Sequence, residues 1–310
     1  MEKNKFTTLS FLLILFILVS CQPKEEIETI ELTKNETEEK TISKIIENSE
    51  GLNIGIASVI SPLETRVSYK QFVEYIGNKL QIPVQFIQGE NYAETNKLIK
   101  NGQIDVALIC SQAYVMGKEE NSMKGIAMPK VEGKALYQSY IIVKKDSGIN
   151  KLEDLEGKSF AYTDPDSYSG RLAVLSRLID KGANPDKFFS KTYFTYSHDY
   201  SVKAVAQGVV DGAAVDSLVY DQMLHTNAGD TTNLQVIDYG EWVGTPPIVV
   251  SNFLSDDMVA RVTNVLLTMD KDPKGKEILD KLGIEEFALL DESAYQPISE
   301  MIKKVGANSW

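Results

Sequence analysis

The residues best suited to chemistry form the run Asp-Pro-Asp-Ser-Tyr-Ser-Gly at positions 164–170, directly before a predicted amphipathic helix over residues 171–181. The first backbone N–H groups of a helix have no partner inside it, and the helix dipole places partial positive charge there. Such a junction binds an anion with several oxygens without any lysine or arginine. Ser167 and Ser169 add hydroxyl donors. The pattern therefore predicts an oxyanion cradle.

Two further polar residues, His198 and Asp216, each lie near a predicted junction of a strand with a helix. Ligand sites of open α/β sheets form at such junctions. An imidazole N–H is a suitable donor to an oxyanion, whereas a carboxylate accepts a bond from a P–OH group and repels an unprotonated oxygen. Asp216 therefore favours a protonated phosphorus oxyanion over sulfate. An unprotonated sulfate oxygen would face the carboxylate oxygens, and two facing acceptors cost about 1–3 kcal/mol.

Each of these residues also has a structural alternative. Either serine could only cap the helix, His198 could be a capping or core histidine, and Asp216 could be a loop or cap aspartate. The order Ser169, His198, Asp216 also permits a hydrolytic triad, but a Gly-x-Ser-x-Gly elbow is missing. Two histidines and one spare thiol make a metal site improbable, so we predict no catalysis, no metal and no cofactor.

Hydrophobic periodicity from residue 52 predicts alternating strands and helices in two series. The first is a βαβαβ unit, which implies a parallel sheet. Its strands cover residues 52–57, 84–87 and 105–110, and its helices 69–81 and 92–100. The second series has strands at 140–144, 159–162, 193–196 and 213–215, and helices at 171–181 and 199–207.

The last segment, with a strand at 248–251 and helices at 256–269 and 273–282, has no lobe of its own to pack against. We therefore expect an α/β fold of two lobes joined by two crossings, near residues 137–141 and 243–248, with the ligand cleft between them. The expected limits are residues 51–139 for lobe 1, 140–246 for lobe 2 and 247–310 for the return to lobe 1.

The N-terminus has the pattern of a bacterial lipoprotein signal. Lys3 and Lys5 precede an apolar run over residues 11–19, which ends in Leu-Val-Ser before Cys21. The run is too short to span a bilayer, so residues 1–20 are predicted to be a signal peptide and Cys21 the lipidated first residue. A plain signal peptide or an N-terminal anchor is the alternative. The predicted location is the outer face of the membrane or the periplasm.

Charge and cysteine content exclude several classes of protein. The net charge is −12, of which residues 24–50, with nine acidic side chains and four lysines, carry −5, as expected of a solvated tether. Residues 51–310 hold −8 and show no basic stripe, so nucleic acid is not an expected partner. With Cys21 lipidated, Cys110 has nothing to pair with. It is expected to be buried or half-buried, and its position at a strand end leaves a role in lining the pocket open.

At these motifs the chain resembles the phosphate, phosphite and phosphonate-binding proteins of ABC importers, over about residues 52–300. The most specific element is Asp-Pro-x-Ser-x-Ser-Gly at 164–170. In family order there follow Ser-His-Asp at 197–199 and Asp-Gly-Ala-Ala-Val-Asp-Ser at 211–217, with Lys-Leu-Glu-Asp-Leu-Glu-Gly-Lys at 151–158 before them. The resemblance implies a type II periplasmic-binding-protein fold. It also implies an oxyanion site made of Ser167, Tyr168, Ser169, His198 and Asp216.

The chain departs from the family pattern at two places that bear on the ligand. The middle residue of the motif is usually small, whereas here it is Tyr168, whose N–H can still bind while its ring changes the pocket. The first-lobe wall has Cys110, Ser111 and Gln112 where the family tends to have an aromatic residue and a glycine. Ser111 or Gln112 is expected to supply polar contacts, and Tyr69, at the end of the first loop, to face the cleft.

The resemblance implies a monomeric, lipid-anchored receptor that captures a phosphorus oxyanion and delivers it to an ABC permease and its ATPase. Phosphate, phosphite and phosphonate all stay open as ligands. A sensory lipoprotein for a related small anion is the alternative function, and a Ser/His/Asp hydrolase is a third.

Overall fold

The computed structural model describes residues 51–226, 228 and 231–307. The predicted signal peptide, Cys21 and the acidic tether lie outside the described residues. The strands are β1 (Leu52–Ile56), β2 (Val84–Ile87), β3 (Val106–Leu108), β4 (Met123–Lys130), β5 (Leu136–Tyr137), β6 (Ser139–Lys144), β7 (Ser159–Tyr162), β8 (Lys191–Phe194), β9 (Gly212–Asp216), β10 (Leu234–Tyr239), β11 (Val243–Gly244), β12 (Ile248–Ser251) and β13 (Glu286–Leu289).

The α-helices of the described residues are α1 (Pro62–Leu80), α2 (Tyr92–Lys100), α3 (Ser111–Glu119), α4 (Ala173–Asp180), α5 (Pro185–Phe188), α6 (His198–Ala206), α7 (Ser217–His225), α8 (Asp256–Leu267), α9 (Pro273–Leu282) and α10 (Gln296–Ala307). A π-helical turn, Tyr168–Leu172, leads directly into α4. None of the described helices is both long and apolar enough to cross a membrane.

Lobe 1 is built on a six-stranded sheet in the order β13-β4-β12-β3-β1-β2. Strands β1, β2 and β3 run parallel, as the βαβαβ pattern predicts, because each connection carries a helix. Strand β12 pairs antiparallel with β3 and β4, and β13 pairs with β4. Strands β12 and β13 therefore belong to the same sheet as β1, β2 and β3.

Helix α1 begins seven residues before its predicted start. Pro62 occupies a first-turn position, where its fixed φ favours the helix and its missing N–H costs nothing. Leu63 and Val67 stay exposed on this turn, so the apolar periodicity begins only with the buried Phe72 and Val73. Tyr69 thus lies within a helix and not in a loop.

Lobe 2 is built on a five-stranded sheet in the order β10-β6-β9-β7-β8. Strand β7 is parallel to β8 and β9, whereas β6 is antiparallel to β9 and β10. Its core includes a stacked aromatic pair, Phe160 and Phe189, with ring centroids 4.2 Å apart. The carboxyl ends of β7 and β9 lead into the residues of the predicted site.

The two lobes are joined by two crossings that pair with each other as a short antiparallel ribbon, β5 with β11. Thr245 Oγ1 donates to the Pro129 carbonyl (2.8 Å) next to this ribbon, and the Tyr295 hydroxyl donates to the Thr245 carbonyl (2.7 Å). A Cβ at Gly244 would lie 2.6 Å from the Tyr295 ring, so this position requires glycine. The predicted two-crossing architecture is confirmed, while the residue limits of the lobes stay predictions.

Several elements were not predicted, among them β4, β10, β13, α3, α7 and α10. Strand β4 contains Pro129, which normally argues against an inner strand, but this residue lies beyond the part of β4 that pairs with β12 and is paired only with Phe287 of β13. Helix α10 reaches from lobe 1 to lobe 2, where Lys304 Nζ contacts Asp180 Oδ1 (2.9 Å) and Ser176 Oγ (3.0 Å). Such a bridging helix has no signature in local sequence.

Candidate functional site

The serine motif forms a wide turn between β7 and α4. Ser167 is the N-cap, and its hydroxyl oxygen accepts a bond from the Gly170 N–H (2.9 Å). The Leu172 N–H bonds to the Ser167 carbonyl (3.0 Å), which gives the turn its π-helical width. A Cβ at Gly170 would lie 2.4 Å from Thr163 Cβ, so only glycine fits here. Ser167 therefore caps the turn, whatever else it binds.

Ser169 differs from Ser167 because its buried hydroxyl makes no hydrogen bond to any described residue. Its position is fixed through the backbone, since the Ser139 hydroxyl donates to the Ser169 carbonyl (2.5 Å). A buried hydroxyl without a partner costs about 1–3 kcal/mol. A ligand oxygen is the kind of group that would remove this cost.

Tyr168 is fully buried and packs away from solvent. Its ring makes an edge contact with the Tyr137 ring, with centroids 5.7 Å apart, and its hydroxyl donates to the Glu241 carbonyl. Its backbone N–H faces the sulfur of Cys110. The large side chain thus anchors the motif to the second crossing, and its N–H already has a neighbour.

His198 is the first residue of α6 and is buried. Its Nδ1 accepts a bond from the Asp216 N–H (3.0 Å), so the ring hydrogen must sit on Nε2 in the neutral form. Thr163 Oγ1 lies 3.1 Å from the same Nδ1. Burial lowers the pKa of His198 to about 3, against a small opposing effect of Asp199. The imidazole is therefore a neutral donor with a fixed tautomer.

Asp216 ends β9 and caps α7. Its Oδ1 accepts bonds from the N–H groups of Leu218 (2.7 Å) and Val219 (3.3 Å). Burial raises the pKa of Asp216 to about 7, although these two bonds favour the ionised form. At neutral pH this carboxyl group is thus able either to accept or to donate a hydrogen bond.

The geometry does not support a hydrolytic triad. A triad needs the acidic carboxylate to orient the histidine, whereas Asp216 contacts His198 through its backbone N–H. Ser169 Oγ makes no bond to the imidazole. A histidine with a pKa of about 3 is also a poor general base near neutral pH.

Three tyrosines bring further hydroxyls toward Asp216. Burial, followed by the charges of Cys110 and Asp216 among others, raises the pKa values of Tyr92 and Tyr137 well above the usual range. Both hydroxyls are buried, and neither has a hydrogen-bond partner of good geometry among the described residues, although Ser111 lies close enough to the Tyr137 hydroxyl to lower its pKa. Burial and the Asp216 charge raise the pKa of Tyr69 to about 12. Sequence reasoning included Tyr69 but missed Tyr92, which begins α2, and Tyr137, which lies in the first crossing.

The three residues of the first-lobe wall, Cys110, Ser111 and Gln112, make different contacts. Ser111 Oγ donates to the Gly244 carbonyl (2.7 Å) and so ties the wall to the second crossing. Gln112 is buried with Oε1 unbonded to any described residue, and it lines a separate cavity of about 420 Å³ beside Pro165 and Arg171. Cys110 lies close enough to Tyr92 and Tyr137 for its charge to raise the pKa values of both.

Cys110 lies between two helical N-termini. The N–H groups of Gln112 and Ala113 in lobe 1 and of Tyr168 in lobe 2 face its sulfur. They favour the thiolate, but burial has the larger effect and raises the pKa of Cys110 to about 11. The side chain is therefore a neutral thiol that fills space at the seam of the lobes.

We expect the Cys110 thiol to resist alkylation in the folded protein. With a pKa of about 11, only about 0.1% is thiolate at pH 8, and burial restricts access further. Iodoacetamide should label residues 51–310 at least about 100-fold more slowly than it labels the same chain in guanidinium chloride. Equal labelling rates would show that this part of the cleft is open to solvent.

Taken together, the cleft offers hydroxyls, a neutral imidazole and one titratable carboxyl. None of the predicted ligand residues is a lysine or arginine. Within the described ranges, no group of three or more His, Cys, Asp or Glu side chains is placed to hold a metal ion. The site is therefore suited to a small anion bound by neutral donors.

Comparison with known proteins identifies the family of this chain. Residues 54–295 match the family described as ABC transporter, phosphonate, periplasmic substrate-binding protein. The phosphonates-binding periplasmic protein of Escherichia coli (strain K12) is 25% identical over 260 residues, which cover 82% of this chain and 77% of that protein.

Two solved structures show the same fold. A binding protein component of an ABC phosphonate transporter from Pseudomonas aeruginosa superposes with a TM-score of 0.78 at 22% identity, covering 84% of this chain and 88% of that one. The protein PhnD1 of Prochlorococcus marinus (MIT 9301), in complex with methylphosphonate, gives 0.75 at 21% identity, covering 83% and 98%. Together with the family match, the two-lobed fold and the serine motif, these findings show that the chain belongs to the periplasmic substrate-binding proteins of phosphonate ABC transporters.

Proposed function

We propose that this chain captures a phosphorus oxyanion between its lobes and delivers it to an ABC permease. The observation that carries the proposal is a set of buried hydroxyls that lack a hydrogen-bond partner of good geometry in the described part of the chain, those of Ser169, Tyr92 and Tyr137. Each of these hydroxyls is a hydrogen-bond donor. None of the residues assigned to the site is a lysine or an arginine. A tetrahedral anion with three or more acceptor oxygens would give all of them partners.

In this arrangement His198 donates from Nε2, because Nδ1 is already occupied by the Asp216 N–H. The bonds from Leu218 and Val219 both reach Oδ1 of Asp216, which leaves Oδ2 to meet a P–OH group of the ligand. Sulfate carries no proton near neutral pH, so it would place an acceptor against the ionised form of this carboxyl, which predominates above pH 7. Discrimination against sulfate therefore follows from hydrogen-bond complementarity, not from size.

The related proteins suggest which ligands to test. The Escherichia coli relative is named for binding phosphonates, and the Prochlorococcus marinus structure contains methylphosphonate. Transfer of these ligands to the present chain is part of the proposal. The buried Tyr168 ring and the Cys110 thiol are the local differences that would select among phosphate, phosphite and a phosphonate.

A thermal-shift panel on residues 51–310 tests the proposal. The ligands are phosphate, phosphite, methylphosphonate, aminoethylphosphonate, sulfate and a sulfonate. A specific ligand at 100 times its dissociation constant should stabilise the protein by about 2.7 kcal/mol. We expect a shift with at least one phosphorus compound and none with sulfate. No shift with any compound, or an equal shift with sulfate, would contradict the assignment.

We also propose that Cys21 carries the lipid that tethers the receptor to the membrane. The support is the pattern of basic residues, short apolar run and cysteine in the sequence. Cys21→Ser should move most of the protein from the membrane fraction to the soluble fraction of the cell. Unchanged retention in the membrane fraction would argue for a different anchor.

A further inference from the structure

Cys110 lies where two helix starts, one from each lobe, converge. It is the N-cap residue of α3, and the N–H groups of Gln112 and Ala113 in the first turn of α3 face its sulfur. The N–H of Tyr168, at the start of the π-helical turn of lobe 2, faces the same sulfur. The first N–H groups of a helix have no partner inside it, so both starts are suited to an acceptor.

The groups around Cys110 are those of the proposed oxyanion site. Its side chain is buried and packs in one core cluster with the rings of Tyr92, Tyr137 and Tyr168. The hydroxyls of Tyr92 and Tyr137 lack a hydrogen-bond partner of good geometry among the described residues, and so does that of Ser169, the residue after Tyr168. The sulfur therefore adjoins the place proposed for the ligand.

A neutral thiol at this position is a weak substitute for an oxyanion oxygen. Burial keeps Cys110 in the thiol form near neutral pH, since it raises the pKa to about 11. The side chain makes no capping hydrogen bond of normal geometry to α3. Sulfur accepts and donates hydrogen bonds only weakly and behaves as a small apolar group. The thiol therefore covers the N–H groups of both helix starts without adding a strong donor of its own.

This arrangement gives the site one strongly polar part and one weakly polar part. The strong hydrogen-bonding groups are the three hydroxyls named above, the Nε2–H of His198 and the Oδ2 of Asp216. Three oxygens of a phosphorus anion are enough to engage them. A fourth oxygen directed at Cys110 would meet sulfur and lose the hydrogen bonds that it makes in water, whereas a hydrogen or a methyl group has none to lose.

We propose that Cys110 is a specificity-determining residue, whose sulfur contacts the one substituent of the ligand that is not an oxygen. The site therefore prefers phosphorus anions with three oxygens over phosphate. The substituent is small, a hydrogen as in phosphite or a methyl group as in methylphosphonate, because the sulfur and the three rings packed with it are buried. The inference rests on the proposed function and adds which members of the ligand class are preferred.

Calorimetry on residues 51–310 with phosphate, phosphite and methylphosphonate tests this assignment. The measured quantity is the ratio of the dissociation constant of phosphate to that of the tighter-binding of the two three-oxygen anions. We expect this ratio to exceed about 10 in the wild-type protein, because one oxygen of phosphate loses its hydrogen bonds. Cys110→Ser puts a hydroxyl, a strong donor, in place of the sulfur and should lower the ratio at least about tenfold.

Cys110→Ala is a second variant, which does not depend on tolerance of a buried serine. It removes the sulfur and leaves the N–H groups of Gln112, Ala113 and Tyr168 to a fourth oxygen, so it should also lower the ratio. Val115→Ala is the matched control, because Val115 is buried in the same cluster on α3 but lies more than a turn beyond Cys110. It should lower the melting temperature and leave the ratio unchanged.

The outcomes separate this inference from the proposed function. A wild-type protein that binds phosphate as tightly as the three-oxygen anions, or more tightly, would overturn the role of Cys110 and leave the proposed function standing. Cys110 variants that keep the wild-type ratio, or that change it no more than Val115→Ala does, would have the same meaning. If none of the three anions binds, the proposed function itself fails, and the inference fails with it.

Discussion

Asp216→Asn should make the unliganded protein more stable above pH 7 and remove part of the pH dependence of its stability. The asparagine still offers one oxygen to cap α7 through the N–H groups of Leu218 and Val219. It has no charge to lose or gain. The wild-type protein, in contrast, must bury an ionised carboxylate at alkaline pH.

The sign follows from the raised pKa of Asp216. Its ordinary pKa is 3.8, and burial raises it to about 7. Between these values the folded protein holds a proton that the unfolded chain has released, so stability falls as pH rises from about 4 to 7. The full shift corresponds to a loss on the order of 4 kcal/mol, complete above pH 7.

Chemical denaturation at half-unit intervals between pH 4 and pH 9 would measure the difference in free energy of unfolding between the two proteins. His198, with its pKa lowered to about 3, loses stability as the pH falls from 6.5, and this opposite slope is common to both proteins. The difference should grow from pH 4 to 7 and then stay constant. A difference that is flat from pH 4 to 9 would show that Asp216 titrates normally.

The affinity for the anion should also depend on whether the Asp216 carboxyl group is protonated. In the proposed complex Asp216 Oδ2 and the facing ligand oxygen share one proton, which either group can supply. Wild-type affinity should therefore fall as the pH rises above 7 and the carboxyl loses its proton, relative to that of Asp216→Asn. The quantity to compare is the ratio of the two affinities. Calorimetry with methylphosphonate at pH 6 and pH 8.5 would measure it, and a constant ratio would place Asp216 outside the site.

The second large effect is expected from Ser169→Ala, which should weaken anion binding at least about tenfold while leaving stability unchanged or increased. The hydroxyl is buried and has no partner among the described residues, so its removal relieves a cost of about 1–3 kcal/mol in the empty protein. The same hydroxyl is a donor to the proposed ligand. Opposite effects on stability and binding are the signature of a ligand residue.

Ser167→Ala is the matched control, two residues away in the same turn. It removes the hydroxyl that accepts from the Gly170 N–H, and loss of such a cap costs about 1 kcal/mol. Thermal unfolding and binding, measured on both variants, should therefore separate a capping serine from a ligand serine. A destabilised Ser169→Ala variant with normal binding would reverse the two assignments.

The serine motif and the parallel strands of lobe 1 were predictable because their signals are local. A run of turn formers and hydroxyls before an amphipathic helix specifies a helix start, and Ser167 does cap Gly170 as that pattern requires. Alternating apolar segments specified β1, β2 and β3 and their parallel order. The family motifs singled out His198 and Asp216 and their order along the chain, but not how the two residues are arranged in space.

Only the tertiary structure decided how these residues behave. The tautomer of His198 depends on a backbone N–H eighteen residues away, and the pKa of Asp216 depends on burial between elements that are distant in sequence. Tyr92 and Tyr137 look like ordinary packing residues until folding leaves both hydroxyls buried without partners. Periodicity reports only neighbours within a turn or two, whereas burial, electrostatics and contacts between lobes arise from segments more than a hundred residues apart.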